Sequence, residues 1–133
     1  YEKFSLRYIN KIKNAIANQD IPLIYYVRET GRKLEALKNL NIDVLGIDST
    51  TEIGVIKKQI GNKFALQGNL DVNVLKKDES DIIAAIKNIL TSYGSNSGHI
   101  FNLGTGITPD INPDKVKILI DNLADISSKF HVK

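Results

Sequence analysis

The side chains able to do chemistry in this sequence cluster directly behind apolar runs of strand length. They are Arg28 and Glu29, Asp48 and Ser49, Gln67 with Asn69 and Asp71, and Asn102 with Thr105. In parallel α/β folds a site forms where strands end at their carboxyl side, so a guanidinium, carboxylates, amides and hydroxyls from these positions could converge on one ligand. Each group also has a structural use. Asp48 followed by Ser49 suits helix capping, Asn69 and Asp71 are turn formers that bond their own backbone, and Arg28 can pair with Glu29 or with solvent. Gly104-Thr105-Gly106 leaves room for backbone amides to approach a phosphate or carboxylate. It lacks both the G-x-G-x-x-G spacing and a P-loop lysine, so it does not spell a nucleotide site. His99 lies inside an apolar run and reads as a core histidine, and no serine, histidine and acid make a triad motif.

Composition narrows the chemistry further. The chain has no cysteine and only two histidines, His99 and His131, which leaves no disulfide, no thiolate ligand and no thiol nucleophile, and too few histidines for a zinc cluster. Eighteen Lys+Arg against 15 Asp+Glu give a net charge of +3, spread without a run of like charge, so neither nucleic acid nor a membrane surface is expected as a partner. No apolar stretch reaches transmembrane length, and Tyr1-Glu2-Lys3-Phe4 is not ordered as a signal peptide. A chain of 133 residues without methionine reads as a piece of something longer.

The elements that must position these groups follow from periodicity. Phe4, Tyr8, Ile12 and Ala15 or Ile16 recur at helical spacing over residues 1–17. The runs 22–27, 43–47, 63–67 and 98–103 read as strands. Between and after them, Leu34, Leu37 and Leu40, then Ile53, Ile56 and Ile60, then Ile82, Ile83, Ile86, Ile89 and Leu90, and finally Val116, Leu119, Ile120, Leu123 and Ile126 mark helices. Ser49 to Glu52 has the form of a capping box, and Asn112-Pro113 that of an N-cap with proline in the first helical position. Strands alternating with helices, with no hairpin dipeptide between them, predict four adjacent parallel strands in chain order. Such a sheet is a small doubly wound one or half of an eight-unit barrel of about 250 residues. The leading helix without a strand before it, together with the missing methionine, favours the half barrel.

Three phrases carry a family resemblance: Phe64-Ala-Leu-Gln-Gly-Asn-Leu-Asp71, Gly98-His-Ile-Phe-Asn-Leu-Gly104 with Gly106-Ile107, and Pro109-Asp-Ile-Asn-Pro-Asp-Lys-Val116. In order and spacing they resemble the C-terminal part of the uroporphyrinogen decarboxylase family, and a weaker likeness extends back through Val44-Leu-Gly-Ile-Asp48 to Phe4. The resemblance implies an α/β (β/α)8 barrel of which residues 1–133 supply about half, a carboxy-lyase that uses neither metal nor organic cofactor, and usually a homodimer. It would be cytoplasmic or in an organelle such as a plastid. Its substrate would be uroporphyrinogen, whose four acetate side chains become methyl groups in coproporphyrinogen, a step of porphyrin and haem biosynthesis. The groups that hold the pyrrole nitrogens and deliver protons belong to the family's N-terminal part, so no catalytic residue is expected here and the segment alone should be inactive. Substrate contacts are implied for Thr105 and Tyr26. Thr105 stands where the family normally has histidine after Asn-Leu-Gly, Val72 where it has proline, and Ser49 where it commonly has tryptophan. A threonine hydroxyl can hydrogen-bond a carboxylate but cannot carry charge or relay a proton near neutral pH. The alternatives are a divergent non-catalytic relative kept for binding or regulation, and a corrinoid-type methyltransferase of the same superfamily, which the absence of cysteine argues against.

Overall fold

A computed structural model describes residues 2–16 and 20–130. A π-helical turn, Glu2–Leu6, leads into α1, Arg7–Ile16, and then strand and helix alternate: β1 Ile24–Tyr26, α2 Thr30–Leu37, β2 Val44–Gly46, α3 Ile53–Ile60, β3 Ala65–Gln67, α4 Glu79–Tyr93, β4 His99–Ile100 and α5 Pro113–Phe130. A 3-10 turn, Val72–Lys76, sits between β3 and α4. The four strands are parallel and lie side by side in chain order, as the crossover lengths predict. They are shorter than the expected runs. In the last of these, residues 98–103, the ladder nonetheless continues past β4: Gly68 and Leu70 N–H donate to Ile100 and Asn102 carbonyls at 3.0 Å, and Leu70 bridges Leu103. His131 and residue 17, the expected end of the first helix, lie outside the described residues.

Register divides the sheet into two faces. Tyr25, Leu45, Leu66 and His99 share one row. Leu45 and Leu66 are fully buried among Leu34 and Leu37 of α2, Ile53, Ile56 and Ile60 of α3, and Tyr93 of α4. The rows on either side, Ile24-Val44-Ala65 and Tyr26-Gly46-Gln67-Ile100, belong to neither buried cluster. On that face Ile24, Tyr26 and Ile100 are 47%, 45% and 41% exposed. Helices therefore cover one face, which is the arrangement of a partial barrel and not of a doubly wound sheet. Sequence periodicity leaves that choice open.

Helix α1 differs from its sequence reading. Phe4 of the π-helical turn and Tyr8 and Ile12 of α1, which read as one apolar stripe, are exposed, while Leu6 of that turn and Ile9 of α1 pack into the core. The Lys13 ammonium meets Asp43 Oδ2 at 2.5 Å, and the same oxygen accepts the Leu23 N–H at 2.7 Å. Beside Ile9, which packs on the core, the helix thus carries a second apolar face of Tyr8 and Ile12 that is about half exposed. Ile120 of α5 is likewise exposed, although it belongs to the apolar stripe read from sequence.

The capping box expected at Ser49 to Glu52 does not form. Helix α3 begins later, at Ile53, and the Glu52 side chain makes no cap bond to its backbone. The cap comes from α4 instead: the Gly54 N–H donates to Ser92 Oγ at 3.0 Å, and that hydroxyl donates to Glu52 Oε1 at 2.7 Å. The contact requires glycine, since a Cβ at position 54 would fall 2.3 Å from the Ser92 carbonyl oxygen. At the other expected cap, Asn112 Oδ1 accepts the Asp114 N–H at 2.9 Å and opens α5. In the protein that carries this segment, Gly54→Ala should lower stability by about 1 to 3 kcal/mol through overpacking of α3 on α4, read from the shift of a chemical denaturation midpoint. An unchanged midpoint would mean that the two helices separate freely.

Candidate functional site

The carboxyl ends of the strands hold two kinds of polar group. The first kind is bound within the fold. Asp48, 3% exposed, follows β2 and accepts three hydrogen bonds, from the Glu29 N–H at 2.9 Å, the Thr30 N–H at 3.2 Å and the Thr50 hydroxyl at 2.9 Å. The backbone donors belong to the start of α2, where orphan N–H groups need acceptors and where Glu29, in left-handed conformation at φ 57°, supplies no side-chain cap. Asp48 therefore caps the helix before it, not the one after it. Burial works to raise its pKa, but the bonds from Glu29, Thr50 and Thr30 outweigh that and hold the carboxyl below its ordinary range. Asn69 is bound in the same way: its amide donates to the carbonyls of Asp48 at 2.9 Å and Thr51 at 2.6 Å. Asp71 accepts the Asn73 N–H at 2.9 Å and caps the 3-10 turn. His99 lies toward the helices, stacked on Tyr93 at 4.5 Å between ring centroids, with Nε2 at 2.9 Å from the Gly68 carbonyl.

The second kind faces an open depression of about 430 Å³ that Tyr26, Arg28, Gln67, Asn102, Thr105 and Ile107 help to line. Tyr26 reaches it from the far strand because its ring lies across Gly46, where a Cβ would fall 3.0 Å from the Tyr26 Cβ. The Tyr26 hydroxyl donates to the Gly104 carbonyl at 2.8 Å, which ties the end of β1 to the loop carrying Thr105. The two residues singled out from sequence thus line one depression. Their link through Gly104 had no sequence signal except a glycine that turns out to stand opposite Tyr26. Gly104 itself donates its N–H to the Leu70 carbonyl at 2.7 Å, so the glycine loop does not present that amide to an anion.

Arg28 alternates with Val27, which packs on the core, and so joins Tyr26 at the depression. The neighbouring acid does not hold it. Glu29 pairs with Arg32 at 3.1 Å and Lys33 at 3.7 Å, and Arg28 forms no ion pair among the described residues. The lining contains one cation and no carboxylate, which suits an anionic ligand with hydroxyl and amide donors around it. A larger depression, about 570 Å³, lies between the start of α3 and α4. Of its polar lining, Glu52, Ser92, Asn69 and Asp71 are bonded to neighbours; Ser49, Thr51, Asn88 and Thr91 complete it, with no cation among them and neither Tyr26 nor Thr105. Among the described residues no group of three His, Cys, Asp or Glu could hold a metal ion, and no helix is long and apolar enough to cross a membrane.

Comparison with known proteins bears on this geometry. The family model described as uroporphyrinogen decarboxylase (URO-D) matches residues 1–126. The uroporphyrinogen decarboxylase of Tolumonas auensis is 42% identical over 98% of this chain and 38% of its own length. That of Legionella pneumophila strain Paris is 41% identical over 99% of this chain and 38% of its own length. The chain thus spans well under half of the curated relatives it matches. Among solved structures, a methyltransferase from Methanosarcina mazei superposes with a TM-score of 0.78 over 95% of this chain and 36% of its own, at 18% identity, a likeness of fold alone.

The bound carboxylate yields a pH-dependent expectation. Because the folded pKa of Asp48 is lowered, its stabilising effect is present above the ordinary value of 3.8 and is lost as pH falls through the folded value. Asp48→Asn, which turns an amide toward backbone donors, should cost about 1 to 3 kcal/mol near neutral pH. The difference from the parent should shrink in denaturation curves below that range. A difference independent of pH would show that the charge is not what caps α2.

Proposed function

The chain belongs to the uroporphyrinogen decarboxylase family, and on that premise we propose that it forms about half of a (β/α)8 barrel in a longer carboxy-lyase. That enzyme would decarboxylate the four acetate side chains of uroporphyrinogen to give coproporphyrinogen. In each acetate the bond between methylene and carboxyl breaks, carbon dioxide leaves, and the methylene carbon gains a proton to become methyl. The observation that carries this reading is the uncovered sheet face, with Ile24, Tyr26 and Ile100 exposed, opening at its carboxyl end onto the depression of Tyr26, Arg28 and Thr105. In a barrel that face is the interior, and its mouth is where substrates bind. The second apolar face of α1 supports the same reading, since a barrel helix packs against both neighbours. Thr105 and Tyr26 would contact the substrate, with the Tyr26 hydroxyl also holding the loop through Gly104.

Groups that hold the pyrrole nitrogens would come from the rest of the protein, which also closes the barrel. Residues 1–133 alone should therefore form no coproporphyrinogen above background. With strand edges and an apolar face unpaired they should also self-associate. Turnover assays and light scattering check this, and an active, monodisperse monomer would refute it.

A second reading, a non-catalytic relative kept for binding, is motivated by Thr105 at the family's histidine position. The full-length protein separates the two, because only the lyase releases carbon dioxide from uroporphyrinogen. In that protein Thr105→His should leave turnover unchanged or raise it. A variant with a lower denaturation midpoint and no gain in substrate affinity would mean that position 105 does not face the substrate.

A further inference from the structure

We propose that Arg28 is the carboxylate anchor of this site, binding a propionate that the substrate keeps and not an acetate that it loses. The inference rests on the decarboxylase reading and adds a residue and a role to it. Three observations converge. Arg28 lines the depression shared by Tyr26 and Thr105. Its neighbour Glu29 is held by Arg32 and Lys33, which leaves the Arg28 guanidinium without an ion pair among the described residues. No Asp or Glu lines the depression, so a ligand carboxylate meets one cation and no competing anion, and a guanidinium can bind it through two parallel N–H donors.

The choice between the two kinds of side chain follows from the reaction. A carboxylate that leaves as carbon dioxide loses its charge on the way to the transition state. A guanidinium paired with it would stabilise the starting state more than the transition state and raise the barrier. Paired with a propionate, the same guanidinium contributes equally to both states and lowers KM without changing kcat. The depression is open, so solvent screens the pair and its contribution stays moderate.

The test uses the full-length protein with uroporphyrinogen as substrate. Arg28→Gln should raise KM about tenfold with kcat nearly unchanged, an effect of the size expected for one charge-assisted contact. Arg28→Lys should recover most of the loss, and Arg28→Glu should exceed it. The gap between parent and Arg28→Gln should narrow with added salt. An unchanged KM in Arg28→Gln, a fall in kcat at constant KM, or an Arg28→Lys variant as impaired as Arg28→Gln would each overturn the anchor role while the parent's turnover upholds the decarboxylase reading. A parent protein that neither turns over uroporphyrinogen nor binds uroporphyrin would overturn that reading and the anchor with it.

Discussion

Parallel register governs both the core and the site of this chain, because side chains alternate across a strand and a shift of one residue exchanges the two faces. The observed pairing sets Leu45 and Leu66 in one row toward the helices and Tyr26, Gly46 and Gln67 in a row on the other face. Burying a leucine stabilises by roughly 1.5 to 3 kcal/mol, so exposing both by a slip would cost roughly 3 to 6 kcal/mol. That is a large part of the 5 to 15 kcal/mol by which a domain is typically stable. The same slip would withdraw Tyr26 from the open face. Core packing and the placement of the site are therefore set by one choice of pairing.

Polar groups at the strand ends divide between frame and site according to how fully they are bonded. Asp48 and Asn69 are buried, and their bonds reach the loop before α2 and the loop before α3. A buried carboxylate without partners would take up a proton, and three donors keep this one ionised. It serves as an internal acceptor that fixes where two strand-helix loops sit. Arg28 is the opposite case, an exposed cation whose nearest acid is engaged elsewhere. The separation suits a site that takes an anion, since Asp48 is already surrounded by donors and no carboxylate lines the depression.

The two-faced helix α1 and the one-sided helix layer are consistent with each other. A sheet whose open face carries Ile24 and Ile100, beside a helix whose outward stripe carries Tyr8 and Ile12, has apolar surface both inside and at its flank. Further strand-helix units of a barrel would cover both. The relatives that match this chain are more than twice its length, which is the scale such units require.

Apolar periodicity, crossover lengths and the lack of hairpin dipeptides are local signals, so the four strands and five α-helices were legible in their observed order, whereas the π-helical turn at Glu2–Leu6 and the 3-10 turn at Val72–Lys76 were not. The family was legible too, through the phrases around Asn69 and Leu103, as was the position of Thr105, Tyr26 and Arg28 at strand ends. The bonding partner of each polar residue was not legible, because it is set by packing. Ser49 to Glu52 has the spacing of a capping box, yet α3 is capped by Ser92 from the next helix, 40 residues beyond Glu52. Asp48 stands before α3 in sequence but caps α2 in space. The stripe of Phe4, Tyr8 and Ile12 has helical period, but period marks a face as apolar without saying which neighbour covers it. These outcomes turn on contacts between segments far apart in the chain, and such contacts exist only once the strands have paired.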